Sequence, residues 1–183
     1  KRPYVVLKTA MTLDGKIASY SGDSKWVSSD SSRQLVHKMR NDLSGIVAGV
    51  GTVLADNPSL SCRLAISDKK AHQPIRIIVD SNISTPLDCN IVSSAKEQRT
   101  IIATTDAFMS SESIARKADE LRDKGVEILQ CASKGGRVDI NDMVTKLGSL
   151  GIDSLLLEGG GTLNASFLEA GAVDEVCCFI APK

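Results

Sequence analysis

Several short runs of this chain are apolar at almost every position, and that constrains the fold more than any other feature. They are Ile46-Val47-Ala48-Gly49-Val50, Ile75-Arg76-Ile77-Ile78-Val79, Thr100-Ile101-Ile102-Ala103-Thr104 and Ser154-Leu155-Leu156-Leu157. Successive residues of a strand face opposite sides of a sheet, so a run without alternation must be covered on both faces. Segments with helical spacing separate the strands. Leu35, Val36, Met39 and Leu43 predict a helix, which Ser28, Ser29 or Asp30 can cap. Ile114, Ala118 and Leu121 predict another, closed by Gly125; Ile140, Met143, Val144 and Leu147 predict a third, stopped at Gly148. A fourth is expected over 162–170, ending at Gly171. Tyr4-Val5-Val6-Leu7, Val126-Glu127-Ile128-Leu129 and residues 176–180 read as further strands. Leu13-Asp14-Gly15-Lys16 and Asp80-Ser81-Asn82 read as turns, and 67–72, 93–97 and 133–136 as surface loops. The fold class is α/β, with a mostly parallel central sheet flanked by helices.

Composition narrows the function. Lys plus Arg is 22 and Asp plus Glu is 22, so no broad cationic surface awaits nucleic acid or an anionic membrane. Aromatic residues are 3% of the chain, too few for a base-stacking platform. No run approaches the roughly 20 apolar residues of a membrane span. The 5 cysteines include no C-x-x-C pair, and the 2 histidines, His37 and His72, have no nearby cysteine. That pattern argues for a reduced, cytoplasmic protein without a zinc site in this chain. The first residue is not Met, which is read as an excised domain.

The strongest local feature is Leu155-Leu156-Leu157-Glu158-Gly159-Gly160-Gly161-Thr162. It joins a buried strand, a carboxylate at its end, a glycine run and a helix start. Ligands of open α/β sheets bind at the carboxyl ends of strands, and a helix N-terminus offers free N–H groups to a phosphate. Neither the G-x-G-x-x-G nor the Gly-Lys-Ser/Thr pattern is met, since Asn164 stands where the third glycine would be. A phosphate site and a plain strand-to-helix turn are both open. Gly49-Val50-Gly51-Thr52, running into Val53-Leu54-Ala55-Asp56-Asn57-Pro58, is a second such strand end, and a turn followed by an Asx-Pro loop is the better reading there. Lys8 interrupts an apolar strand; position alone favours an edge residue reaching solvent over a buried functional cation. Arg40 and Arg63 are either phosphate forks or solvated surface charges. Trp26 is either a core anchor or a ring beside a ligand.

Taken in order, the motifs resemble the reductase domain of bacterial riboflavin biosynthesis. The resemblance rests on Leu7-Lys8-Thr9-Ala10-Met11-Thr12-Leu13-Asp14-Gly15-Lys16-Ile17-Ala18, Gly22-Asp23-Ser24-Lys25-Trp26-Val27-Ser28 and Gly51-Thr52-Val53-Leu54-Ala55-Asp56-Asn57-Pro58. It continues through Pro74-Ile75-Arg76-Ile77-Ile78-Val79-Asp80-Ser81, Glu158-Gly159-Gly160-Gly161-Thr162, Val173-Asp174-Glu175 and Ile180-Ala181-Pro182-Lys183, spanning nearly the whole chain. It implies a dihydrofolate-reductase-like fold and NADPH-dependent reduction of 5-amino-6-(5-phosphoribosylamino)uracil to the ribitylamino product. It implies catalytic roles for Lys8 and Glu158, with Glu158 orienting the lysine, and substrate contacts at Ser24, Ser28, Arg40, Leu60 and Arg63. It places the cofactor against Ala10, Trp26, Thr52, Asp56, Ser81, Gly160, Gly161, Thr162, Leu163, Asn164, Ala165 and Ser166.

The resemblance also implies one reductase domain over 1–183, a further C-terminal strand segment in the family, a zinc deaminase domain preceding the reductase in the parent protein, and a homodimer. Two other readings stand beside it. One is a different pyrimidine or pterin reductase on the same fold, which fold alone does not separate. The other is a nucleotide-binding module that turns nothing over. No arginine lies in either glycine-rich loop to read a 2′-phosphate.

Overall fold

The computed structural model describes residues 1–17, 29–64, 71–106 and 111–181. In chain order the elements are β1 (Tyr4–Thr12), α1 (Asp30–Asp42), β2 (Gly45–Gly49), α2 (Val50–Asp56), β3 (Ile75–Val79), α3 (Asn90–Ser93) and β4 (Thr100–Thr105). Then follow α4 (Glu112–Asp123), β5 (Val126–Cys131), β6 (Ser133–Lys134), β7 (Arg137–Val138), α5 (Ile140–Ser149), β8 (Ser154–Leu157), α6 (Gly161–Glu169) and β9 (Glu175–Ala181). The main sheet has 7 strands in the order β5-β4-β3-β2-β8-β1-β9, with every pairing parallel. Trp26, Ser24 and Ser28 lie outside the described residues.

The apolar runs are covered on both faces, as their pattern requires. On one face Val5, Leu7, Val47, Ile77, Ile101 and Leu157 pack with Met143, Val144 and Leu147 of α5 and Phe167 of α6. On the other, Ile46, Ala48, Ile78 and Ile102 pack with Val53 of α2, Ile91 and Val92 of α3 and Ala118 and Leu121 of α4. Consecutive strand residues thus feed two cores, and α2 and α6 sit on opposite faces. α1 is capped by Ser29, whose side chain accepts from the Ser32 N–H. Leu35 nevertheless points out, at 47% exposure. No helix among the described residues is long and apolar enough to cross a membrane.

Four sequence readings need correction. α5 does not stop at Gly148 but runs to Ser149, and the positive-φ residue that follows is Gly151. Gly148 is glycine for another reason: a Cβ there would lie 2.0 Å from the Lys1 carbonyl oxygen. Residues 50–56 form α2 rather than a turn and loop, ended by Asn57 in the left-handed region. Residues 133–136 are no plain loop. Gly135 (φ 59) and Gly136 (φ 75) make the two-residue turn of the β6–β7 hairpin, a geometry that needs positive φ at both places. Lastly, Lys8 is not on an edge: β1 lies between β8 and β9.

Candidate active site

The site grows out of the sheet order. β2 and β8 are neighbours, yet the chain leaves β2 towards β3 and leaves β8 towards β9. The helices that follow them, α2 and α6, cover opposite faces, and a crevice opens at the carboxyl ends where the connections diverge. A cavity of about 540 Å³ fills it, a size suited to a small-molecule ligand. Residues 49–52 at the start of α2 line one side, and Gly160, Gly161, Thr162, Leu163 and Ser166 of the α6 entry line the other. The turn after β3, with Ser81, Asn82 and Ser84, and the β6–β7 hairpin complete the wall.

The glycine run is shaped by packing. A Cβ on Gly159 would sit 3.0 Å from Asn164 Oδ1 and 3.0 Å from Leu163 Cδ2. On Gly160 the nearest atom would be Thr52 Oγ1 at 4.0 Å, so a Cβ there would fill only the space between the two helix starts. Gly160 is the extended N-cap of α6, and its carbonyl accepts from Leu163 and Asn164. The first N–H groups of the helix therefore remain free for a ligand. Asn164 Oδ1 is buried and has no hydrogen-bond partner among the described residues. A glycine cradle and free helix N–H groups fit the diphosphate of a dinucleotide.

Beside the cavity lies a charged cluster. Arg40 of α1 donates from Nε and Nη2 to the two carboxylate oxygens of Glu158, both at 2.8 Å, and from Nη1 to the Ser61 carbonyl at 3.0 Å. The side chains of the pair are 14% and 12% exposed. Burial works against the Arg40 charge, but the hydrogen bond and charge of Glu158 outweigh it and hold the guanidinium above its ordinary value. Register places Leu7 opposite Leu157, so Lys8 on β1 and Glu158, one residue past the end of β8, each follow that pair. The Lys8 Nζ lies 5.8 Å from the centre of the Phe179 ring. Glu158 is thus oriented by Arg40; the partnership with Lys8 expected from sequence is not the one formed.

The segment that carries Leu60 and Arg63 is held by side chains from elsewhere. Arg76 donates to the Ser59 carbonyl, and Gln73 exchanges two hydrogen bonds of 2.9 Å with the Cys62 backbone. The Arg63 N–H donates to His37 Nδ1 at 3.2 Å. Burial, then Arg40 and Arg63, push the His37 pKa down, which keeps Nδ1 an acceptor. Leu60 is buried with φ 49, in the left-handed region. Arg76 itself is 1% exposed and satisfied by Thr100, Ser94, Gln98 and Ser59 without a carboxylate partner; burial lowers its pKa to about 10.

Of the residues expected at the cofactor site, Thr52, Ser81, Gly160, Gly161, Thr162, Leu163 and Ser166 line the cavity. Asn164 supports Gly159 from behind, Ala165 lies on α6, Asp56 is at the exposed end of α2, and Ala10 is on β1. Lys8, Arg40, Leu60, Arg63 and Glu158 belong to the charged cluster and its strap. Sequence reasoning missed the hairpin residues Gly135, Gly136 and Arg137, and Asn82 and Ser84. The Gly-Gly pair at 135–136 was the available signal, being a strong two-residue hairpin turn.

Comparison with known families decides the lineage. The RibD C-terminal domain family matches residues 3–183. The chain belongs to this family. It is 51% identical over 183 residues to the riboflavin biosynthesis protein RibD of Actinobacillus pleuropneumoniae, covering 100% of this chain and 46% of that protein. It is 38% identical over 181 residues to the 2,5-diamino-6-ribosylamino-4(3H)-pyrimidinone 5′-phosphate reductase of Methanothermobacter thermautotrophicus, covering 99% of this chain and 78% of that one. A solved deaminase/reductase from Thermotoga maritima superposes with a TM-score of 0.76 at 35% identity, over 100% of this chain and 45% of that one. The chain spans about half the length of the RibD proteins it matches. The fold is the dihydrofolate-reductase-like α/β fold of the RibD reductases.

Proposed function

We propose that this chain carries out the reductive step of riboflavin biosynthesis, reducing the ribosyl group of 5-amino-6-(5-phosphoribosylamino)uracil to the ribitylamino product with NADPH. The observation that supports it most directly is the placement of Lys8 and the Arg40-held Glu158, each following the Leu7–Leu157 pair, beside the glycine-lined cavity. The nicotinamide, when bound, supplies the hydride that reaches the first carbon of the opened ribose. The chain's own residues bind, orient and move a proton. The α6 entry and residues 49–52 hold the diphosphate. Lys8 gives a proton to the ribose ring oxygen as the ring opens to the C=N form, and that oxygen leaves as a hydroxyl. Glu158, fixed by Arg40, accepts hydrogen bonds from polar groups of the substrate. Arg63 is exposed and its backbone is pinned by His37, so its side chain is the one to fork onto the substrate phosphate.

The same reading extends to the whole protein. Its RibD relatives are about twice as long, and the Thermotoga maritima protein is named a deaminase/reductase, which supports a fused deaminase domain here. The exposed Val176 and Ile180 of β9 support a homodimer contact. The test is NADPH oxidation by the whole protein with 5-amino-6-(5-phosphoribosylamino)uracil, with product mass followed in parallel. A gain of two hydrogens that depends on substrate and disappears in Lys8→Ala is the expected result. Cofactor binding without turnover would sink the reading and leave a binding module.

A further inference from the structure

The cavity has a cationic pole away from Lys8 and Glu158. Arg137 lines it, is exposed, and makes no ion pair among the described residues. Among the described residues that line the cavity it is the one cationic side chain. The other ionisable one, Asp80, is 1% exposed and accepts from the Thr85 N–H and hydroxyl, both at 2.7 Å. The hairpin that carries Arg137 is held in place at two points. The Val138 N–H donates to Ser81 Oγ at 3.1 Å, and the Asp139 N–H to the Ala132 carbonyl at 2.8 Å. The Ser81 hydroxyl proton remains able to donate into the cavity.

Sheet order decides which end of a dinucleotide would face this pole. The reacting groups stand on β1 and β8, and the free helix N–H groups are at the end of β8. Ser81 follows β3, which β2 separates from β8. Neighbouring strands are about 4.8 Å apart, so the β3 end lies roughly 10 Å from the β8 end. With the nicotinamide towards β1 and the diphosphate at α6, the adenosine half extends over β2 towards β3 and the hairpin. A guanidinium without an ion pair among the described residues, on a wall it shares with Ser84, Asn82 and Ser81, matches a phosphate monoester in charge and in forked donor geometry.

We propose that Arg137 recognises the adenosine 2′-phosphate and so makes the site select NADPH over NADH. The proposal rests on the cofactor reading above. Neither glycine-rich loop contains an arginine, so the discriminating charge comes from a hairpin remote in sequence.

Calorimetric titration of the whole protein tests it, using NADPH, NADH, adenosine 2′,5′-bisphosphate and AMP as probes. Wild type is expected to prefer each 2′-phosphorylated ligand over its counterpart. Arg137→Gln should weaken NADPH and the bisphosphate about 10- to 100-fold while NADH and AMP move less than about 2-fold. Arg137→Lys should retain part of the preference, since an ammonium keeps the charge and loses the fork. Arg137 is exposed, so the melting temperature should confirm that both variants fold. Preference unchanged in Arg137→Gln, or no preference in wild type, overturns the proposal and leaves the cofactor reading standing. An equal loss of NADPH and NADH also overturns it. Failure of wild type to bind either dinucleotide brings down both.

Discussion

Arg40 and Glu158 offer the sharpest test of how the site is held. Arg40→Met removes two charge-assisted hydrogen bonds of 2.8 Å and the bond of 3.0 Å to the Ser61 carbonyl, and leaves Glu158 charged and nearly buried. Breaking a buried pair from one side costs about 3–5 kcal/mol; at 14% and 12% exposure the lower part of that range, about 3 kcal/mol, applies. Glu158→Gln keeps one acceptor oxygen but turns an amide N–H₂ towards the second guanidinium donor, for a loss of about 2 kcal/mol. The double variant no longer strands a charge, so its cost should be about 3 kcal/mol rather than the sum of about 5, a coupling of about 2 kcal/mol. Urea unfolding followed by far-ultraviolet circular dichroism measures each value, provided the slope with denaturant is constant across the set. Single effects that add to within about 0.5 kcal/mol would refute the pairing as a stabilising contact. Turnover separates the roles further: the double variant should regain stability relative to the sum and, if the proposed role of Glu158 holds, still lack reductase activity.

Protonation of His37 should weaken the fold. Its pKa lies below the ordinary 6.5, so the unfolded chain takes up the proton first; the stability is present above 6.5 and falls as pH drops through that window, and His37→Gln should flatten the drop in unfolding midpoints between pH 7.5 and 5.5. Two glycines should behave differently in one assay. Gly159→Ala drives a Cβ to 3.0 Å from Asn164 and Leu163 and should lower stability by about 1–3 kcal/mol together with dinucleotide affinity, whereas Gly160→Ala, whose nearest neighbour is at 4.0 Å, should keep its melting temperature and lose affinity alone. Arg76→Met leaves the Ser59, Ser94 and Gln98 carbonyls without their donor and should cost about 2–4 kcal/mol by urea unfolding, with a raised substrate KM because the Ser59 strap loosens; a loss below 1 kcal/mol would mean water replaces the guanidinium.

The legible parts of the fold were those with a local cause. Runs such as Ile75 to Val79 must be covered on both faces, and α1, α4 and α6 carry caps or closing glycines in the chain itself. α2 escaped because it is 7 residues long and has no side-chain cap. The hairpin escaped because each strand is 2 residues long, too short for alternation to register. Lys8 read as an edge residue because the first strand of a chain often is one; here β1 inserts between the last two strands, which no local pattern announces. The Arg40–Glu158 pair joins positions 118 residues apart. The glycine-rich strand ends were visible in the chain, with an anion site and a plain turn both open at 159–161, whereas the place of Arg137 depends on how the sheet folds the hairpin back towards β3.

That pairing also explains how a carboxylate can stand so near an anion site. Glu158 comes two residues before Gly160, the N-cap of the helix whose N–H groups face the cavity. A bare carboxylate about 8 Å from a bound phosphate would oppose it by roughly 2 kcal/mol per unit charge at an effective dielectric near 20. Arg40 closes on both oxygens of Glu158 and cancels that field at its source, while Asp80, the other acid of the crevice, is turned into its own turn. Among the described lining residues, what remains is positive: the α6 entry at one end and Arg137 at the other. On the proposed function, the strand end can present a carboxylate to the substrate and an anion cradle to the cofactor within the same loop because an arginine from α1 pairs with that carboxylate.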